Sequence, residues 1–507
     1  MSDHLTNDHR TPRPTSAARR WWVAGVAGLT GMVGLAAAGL AATAGAADTG
    51  GRGGLSSAAR QLVKDDGPAR DDHRRAGEHG GQDPGGGRDR ARDHDDHGGK
   101  VREVPCHTDK LIQAIILANQ DRSGTLKLAK GCTYRLTRSD QDGDGLPVIT
   151  GRIALKGEKT TIARDAAATE RFRILNVGPG GHLKLHGLTV TGGLTAPPAP
   201  ALATPPSADG AGILVQSGGR ADVKDSRVVR NESVGNGGGI ANHGTTTVEH
   251  TTVDHNTAAR FGGGIFNAGL LKVTESRVTY NNAVLGGGGG IANGALDEIE
   301  GVTGGTGPTR PLQNGTGIDG GTVLIDKSTV SHNRVVGFGG GLFSLDGEVK
   351  IGHTEITGND ASLGGGGIHT RGTQVTLRHV KLTRNTTAQG GGGAAFDQNS
   401  RATIENSTVK ENRADVLGGG VLVAVGSITT VRDTEVAANQ VSNRGGGFYV
   451  TGVSTLRLIN SKVVFNSAVF EGGGIYTGPG NTVTLDDKTK VSANRPDNCF
   501  GVPGCFG

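Results

Sequence analysis

Aromatic residues are scarce in this chain of 507 residues, at 3%, and there are only 2 Trp and 2 Met. The large side chains that fill a thick globular core are therefore missing, which leaves room only for a thin core repeated many times. Charge of one sign is lacking too. The 53 Lys and Arg stand against 48 Asp and Glu, a formal +5. This surplus is spread along the chain, which excludes the concentrated basic face of a nucleic-acid binder. Long apolar runs occur only near the N-terminus, so nothing beyond residue 47 reads as a membrane span. Glycine, by contrast, is abundant, at 90 residues.

The glycines are ordered. Asparagines recur at Asn231, Asn256, Asn281, Asn333, Asn359, Asn385, Asn412, Asn439, Asn466 and Asn494. Eight residues before nearly every one stands an apolar residue (Val223, Ile351, Leu377, Ile404, Leu458), and three before stands another (Val228, Ile356, Val409, Val463). Nine residues after most of them an apolar residue closes a glycine run, as in Gly445-Gly446-Gly447-Phe448 and Gly472-Gly473-Gly474-Ile475. Fixed spacing of this kind marks a repeat architecture. The segments between glycines are short, β-branched and alternating, so they read as strands. A period of 25 to 27 residues with about three strands fits one coil of a parallel β-helix. Such coils stack about 4.8 Å apart, and each buries its apolar face only with neighbours above and below. The asparagines are then expected to stack and hydrogen-bond along the axis, with the glycines at tight corners. A glycine-rich disordered polymer would not keep this spacing.

These Gly-Gly-Gly-Ile and Val-x-x-Asn phrases resemble the right-handed parallel β-helix repeats of secreted and surface bacterial proteins, of pectin-lyase-like fold. They are also similar to the repeats of polymorphic outer-membrane proteins. The resemblance runs from about Cys106 to the end. It implies an all-β, single-stranded right-handed parallel β-helix of about ten to twelve coils. It says little of activity, because such proteins range from adhesins to polysaccharide lyases.

Residues 1–47 read as a signal peptide. Arg10, Arg13, Arg19 and Arg20 precede an uncharged run ending in Ala44-Gly45-Ala46. Arg19-Arg20-Trp21-Trp22-Val23 is a loose twin-arginine match, and an uncleaved membrane anchor is the other reading. Either places the repeats outside the cytoplasm. Residues 48–104 are a Gly/Asp/Arg/His-rich linker, in which His94 and His97 among aspartates suit a mixed-charge spacer or weak metal scavenging. The β-helix domain spans 105–507, with an N-terminal cap at 105–150. There Leu111, Ile112, Ile115, Ile116 and Leu117 fall on a helical period behind Thr108 or Asp109 as N-cap. Insertions are expected at 194–207 and 295–320, and a C-terminal cap at 495–507. Four cysteines in an exported chain suggest two bridges, most simply Cys106–Cys132 and Cys499–Cys505, one at each end.

Three groups of residues are site candidates. Asp140, Asp142 and Asp144 open like a calcium loop, but position twelve is Gly151 instead of glutamate, so a plain turn is the competing reading and no cofactor is required. The residue after each apolar residue that closes a glycine run should face outward, which puts Phe266, Phe343, Tyr449 and Tyr476 in one file. That file would make an aromatic track for sugar rings, or pack beneath loops. Two residues further on, Arg371 and Asp397 become neighbours on adjacent coils, with His369 and Asp346 nearby. A lyase would use Arg371 as cation and His369 as base; a hydrolase would need a carboxylate pair, here Asp346 and Asp397. The competing reading is a surface ion pair. No Asp-Asp pair with Gly-His-Gly, no Asp-His with Arg-x-Pro-x-x-Arg, no nucleophile elbow and no phosphate loop is present. The expectation is a secreted, monomeric binding or structural module for polysaccharide or another cell-envelope component. The alternative is a polysaccharide lyase or hydrolase of the same fold.

Overall fold

The computed structural model describes residues 99–197, 208–296 and 317–505. The residues that read as a signal peptide, most of those that read as linker, and most of both insertions lie outside the described residues. The chain winds into a right-handed parallel β-helix of about 14 coils, more than the ten to twelve expected. The extra coils are the degenerate ones at the N-terminal end, where the asparagine phrase is absent. The linker also ends sooner than its composition suggests, because Val101–Val104 pairs in parallel with Ser123–Leu128 as the first rung.

One coil illustrates the rest. Arg401–Glu405 is a strand, and the chain turns at Ser407 into Thr408–Lys410. It then turns through Glu411, whose φ of 57° is left-handed, to Asn412 and the two-residue strand Arg413–Ala414. The glycine run follows, then Val421–Val423. There are thus four short strands per coil instead of three. Their inward residues stack without register error: Ile351, Leu377, Ile404, Val431 and Leu458 form one column. Ile356, Leu382, Val409, Val436 and Val463 form a second. All are buried. The degenerate coil keeps the same frame, with Leu185 opposite Val223 and Val190 opposite Val228.

Polar ladders line the corners. Asn412, Asn439 and Asn466 stand in one buried column, and each Nδ2 donates to the Oδ1 below, at 2.9 Å from Asn412 and Asn439 and at 3.0 Å from Asn466 to Asn494. The same Oδ1 accepts the backbone N–H of the asparagine above, while each Nδ2 also donates to a carbonyl of the preceding coil. Every donor and acceptor of the carboxamide is thereby used where water cannot reach it. A second ladder, of hydroxyls at Ser407, Thr434 and Ser461, accepts backbone N–H groups at the other corner. A third, Asn242, Asn267 and Asn293, runs inside the strands that follow the glycines. The spacing argument found only the first of these.

The cap helix α1 spans Thr108–Gln120, so it already includes both residues expected as its N-cap. Its N-cap is His107, without a side-chain cap bond, because the Thr108 hydroxyl donates to the Arg135 carbonyl instead. Leu111, Ala114, Ile115 and Ala118 are buried, whereas Ile116 and Leu117 face outward. The small alanines lie against the first rungs because close helix–sheet approach favours them. Both disulfides form as expected, Cys106–Cys132 and Cys499–Cys505, with Cα separations of 5.7 and 5.9 Å.

Candidate functional site

The strands after the glycine corner stack into a sheet of twelve. Its outward file reads Asn176, Leu214, Ala241, Phe266, Ala292, Phe343, His369, Ala395, Leu422, Tyr449, Tyr476 and Phe500. The register inferred from spacing is therefore correct, but the surface it makes is not one track.

Phe266 and Phe343 are fully buried, which removes them from any exposed binding face. The residue ahead of one glycine run, Phe261, folds back over the sheet with its ring 5.8 Å from that of Phe343. Gly286 makes room for it, because a Cβ there would stand 2.9 Å from the Phe261 ring. Ala295 and Leu296, which pair antiparallel with Gly317–Ile318 at the base of the second insertion, complete the cover. Periodicity reports which side of a strand a residue faces, not what lies over that side.

At the C-terminal end the file is open. The rings of Tyr449 and Tyr476 are stacked at 4.8 Å and 9°, and Phe500 extends the stack at 5.1 Å and 3°. Phe500 is 43% exposed. The Arg444 guanidinium lies 5.5 Å from the centre of the Tyr476 ring and pairs with Glu471. Burial, with Tyr476 alongside, pushes the Tyr449 hydroxyl pKa upward against the pull of Arg444, so it stays a protonated donor at neutral pH. Phe500 has no asparagine phrase to align it, and only its place in the Cys499–Cys505 loop hinted at a structural role.

In the middle, Arg371 and Asp397 are opposite in register, with Nε and Oδ2 4.0 Å apart. Arg371 also lies over the Phe338 ring at 4.4 Å. Burial raises the Asp397 pKa against Arg371 and the Gln398 N–H. Asp346 sits one rung earlier and its pKa is raised by burial and then by Asp319. His369 does not fit the role of base. It is 4% exposed, packed between Phe338 and Phe343, and its pKa is held well below the usual 6.5 by burial and then by Arg371. The consequence for stability has a definite sign. The unfolded chain takes a proton on this imidazole near pH 6.5 and the folded chain resists it, so stability is full above that pH and declines as pH falls toward the folded value. Replacing His369 with leucine should flatten the urea-denaturation midpoint between pH 7 and 5, while the wild-type midpoint falls.

The three carboxylates of the acidic turn do not converge. Asp140 Oδ1 accepts the N–H groups of Asp142 and Asp144, closing a turn. Asp144 points inward and is 1% exposed, with Arg173 Nη1 at 3.0 Å from Oδ1 and Asn176 Nδ2 at 2.7 Å from Oδ2. Burial pushes its pKa up to about 6 against these partners. Among the described residues no group of three or more metal-ligating side chains converges. Above this pair lies a pocket of about 430 Å³, lined by Asp142, Arg173, Asn176, Leu214, Gln216 and His243 among others. No sequence signal marked it, because its walls come from the cap turn and from three different coils.

A family model described as "Right handed beta helix region" matches residues 314–489. Among solved structures, the chain is similar to the mannuronan C-5 epimerase AlgE6 A-module of Azotobacter vinelandii, at 14% identity and a TM-score of 0.44, over 75% of this chain and 94% of that one. It is also similar to PfbA, a surface adhesin of Streptococcus pneumoniae, at 9% identity and a TM-score of 0.33, over 75% of this chain and 87% of that one. No curated protein matches it in sequence. Among the described residues no helix is long and apolar enough to cross a membrane.

Proposed function

We propose that this right-handed parallel β-helix is a secreted binding module for polysaccharide or another cell-envelope glycan. The observation that carries the reading is the ladder of Tyr449, Tyr476 and Phe500, three rings nearly parallel at rung spacing beside Arg444 and Glu471. Flat aromatic faces on a rigid sheet suit the C–H faces of sugar rings, and little ordering accompanies binding because the rungs already hold them. The export signal and the two disulfides support an extracytoplasmic location. The test is retention of the protein on insoluble glycans. The wild-type protein should be retained on at least one, and Tyr449→Ala with Tyr476→Ala should weaken retention about tenfold or more. Unchanged retention in the double variant would remove the ladder from the binding surface.

A second reading, glycan cleavage, draws on Asp346 and Asp397, two carboxyl groups of raised pKa flanking Arg371. Raising a carboxyl pKa moves the group toward the role of a general acid. New reducing ends or unsaturated product from the wild-type protein, lost in Asp397→Asn, would favour it. An Asp397→Asn protein as active as wild type would eliminate these residues.

A further inference from the structure

The pocket at the N-terminal end of the glycine-exit sheet has the features of a built site. One wall is the cap turn, with Asp142 and Val148; the floor is the outer face of three successive rungs, with Asn176 above Leu214 and Gln216 above His243. The floor is held from below by a buried relay. Arg173 donates to Asp144 at 3.0 Å, Asn176 donates to Asp144 at 2.7 Å, and Gln216 Nε2 donates to Asn176 Oδ1 at 3.0 Å. Arg173 and Asn176 are each 3% exposed. Such a relay fixes the rotamers of the groups that face the cavity, so they need not be ordered by a ligand.

We propose that this pocket binds a single sugar residue that is uncharged or carries an amine, and not a uronate. The volume of about 430 Å³ falls among small-ligand sites. Its uncharged polar groups are two planar amides, an imidazole and the Ser217 hydroxyl, which donate and accept together as sugar hydroxyls require. Gln216 has given one N–H to Asn176 and keeps its carbonyl oxygen for a ligand. Leu214 and Val148 offer an apolar side for a sugar's C–H face. The charge decides the class. Arg173 is neutralised by Asp144, Asp142 is an exposed carboxylate at the mouth, and His243 Nε2 lies 3.5 Å from Asp209. A uronate carboxylate would meet that negative field; an ammonium group would be drawn to it. The ligand class rests on the glycan reading above, but the site is separate from the tyrosine ladder.

The test uses the full chain and ligand-observed NMR with glucosamine, glucose and galacturonate. Glucosamine and glucose should bind and galacturonate should not. Gln216→Ala, with its fold checked by circular dichroism, should weaken binding about tenfold, as loss of one hydrogen bond implies. Asp142→Asn, a surface change, should erase the preference for glucosamine over glucose. Tyr449→Ala with Tyr476→Ala should leave all three results unchanged. Binding of galacturonate as strong as that of glucose, no binding of any sugar, or unaltered affinity in Gln216→Ala would each overturn the proposal. A wild-type protein that binds these sugars but is retained on no insoluble glycan would count against the ladder and leave this site standing.

Discussion

Replacing Asn412 with alanine should destabilise the coils around it by about 4 kcal/mol, since two buried backbone groups lose a partner at roughly 1–3 kcal/mol each and further side-chain bonds go with them. The groups are the Asn385 N–H, which donates to Asn412 Oδ1 at 3.0 Å, and the Leu382 carbonyl, which accepts from Asn412 Nδ2 at 2.8 Å. Asn385 Nδ2 and Asn439 Oδ1 each lose one bond besides. The column is closed to solvent, so water does not replace the carboxamide. Because each coil touches only its neighbours, the damage should be local: amide exchange should accelerate from Asn385 to Asn439 and stay slow at Asn256. Glu411→Ala, which removes only exposed ion pairs with Arg384 and Lys410, should leave exchange unaltered. Uniform exchange in the Asn412→Ala protein would show that the column does not set coil stability.

Arg173→Met should cost about 3–5 kcal/mol, the usual result of leaving one member of a buried ion pair without its partner. Asp144 would retain only Asn176 and the turn. The cost should depend on pH with a definable sign. In the wild-type protein the Asp144 pKa is raised from 3.8 to about 6, so its contribution to stability is fullest below pH 3.8 and is lost as pH rises through 6. Without the arginine the folded pKa climbs further and the loss continues to higher pH. The Arg173→Met protein should therefore be hurt more at pH 8 than at pH 5, as read by urea denaturation. Adding Asp144→Leu should recover much of the loss, because no buried charge then remains. A double variant less stable than Arg173→Met would mean that the ion pair itself holds the cap to the first coils.

The fate of the site candidates divides along one line. The neighbours along the axis were legible: Arg371 does meet Asp397, and Tyr449 does stack on Tyr476. A column needs only a constant interval, and the asparagine phrase supplies it. What lies above a strand face was not legible. Phe266 and Tyr449 hold the same position in the phrase, yet one is sealed under Phe261 and the insertion base while the other meets solvent. Asp144 looks like its neighbours Asp140 and Asp142 in the chain, and only the rung below, with Arg173, turns it inward. His369 reads as a base beside Arg371 until the rings of Phe338 and Phe343 are seen to enclose it.

The order of the chain alone determined the coil, its register and its asparagine column, because each depends on spacing along the polypeptide; for the disulfides it offered only the simplest pairing by proximity, which the structure adopts. Only the tertiary structure decided which outward residues are open, where the polar pocket lies and which charges are buried. Those properties come from caps, insertions and corner residues crossing a face from elsewhere, and a repeat period carries no record of such crossings.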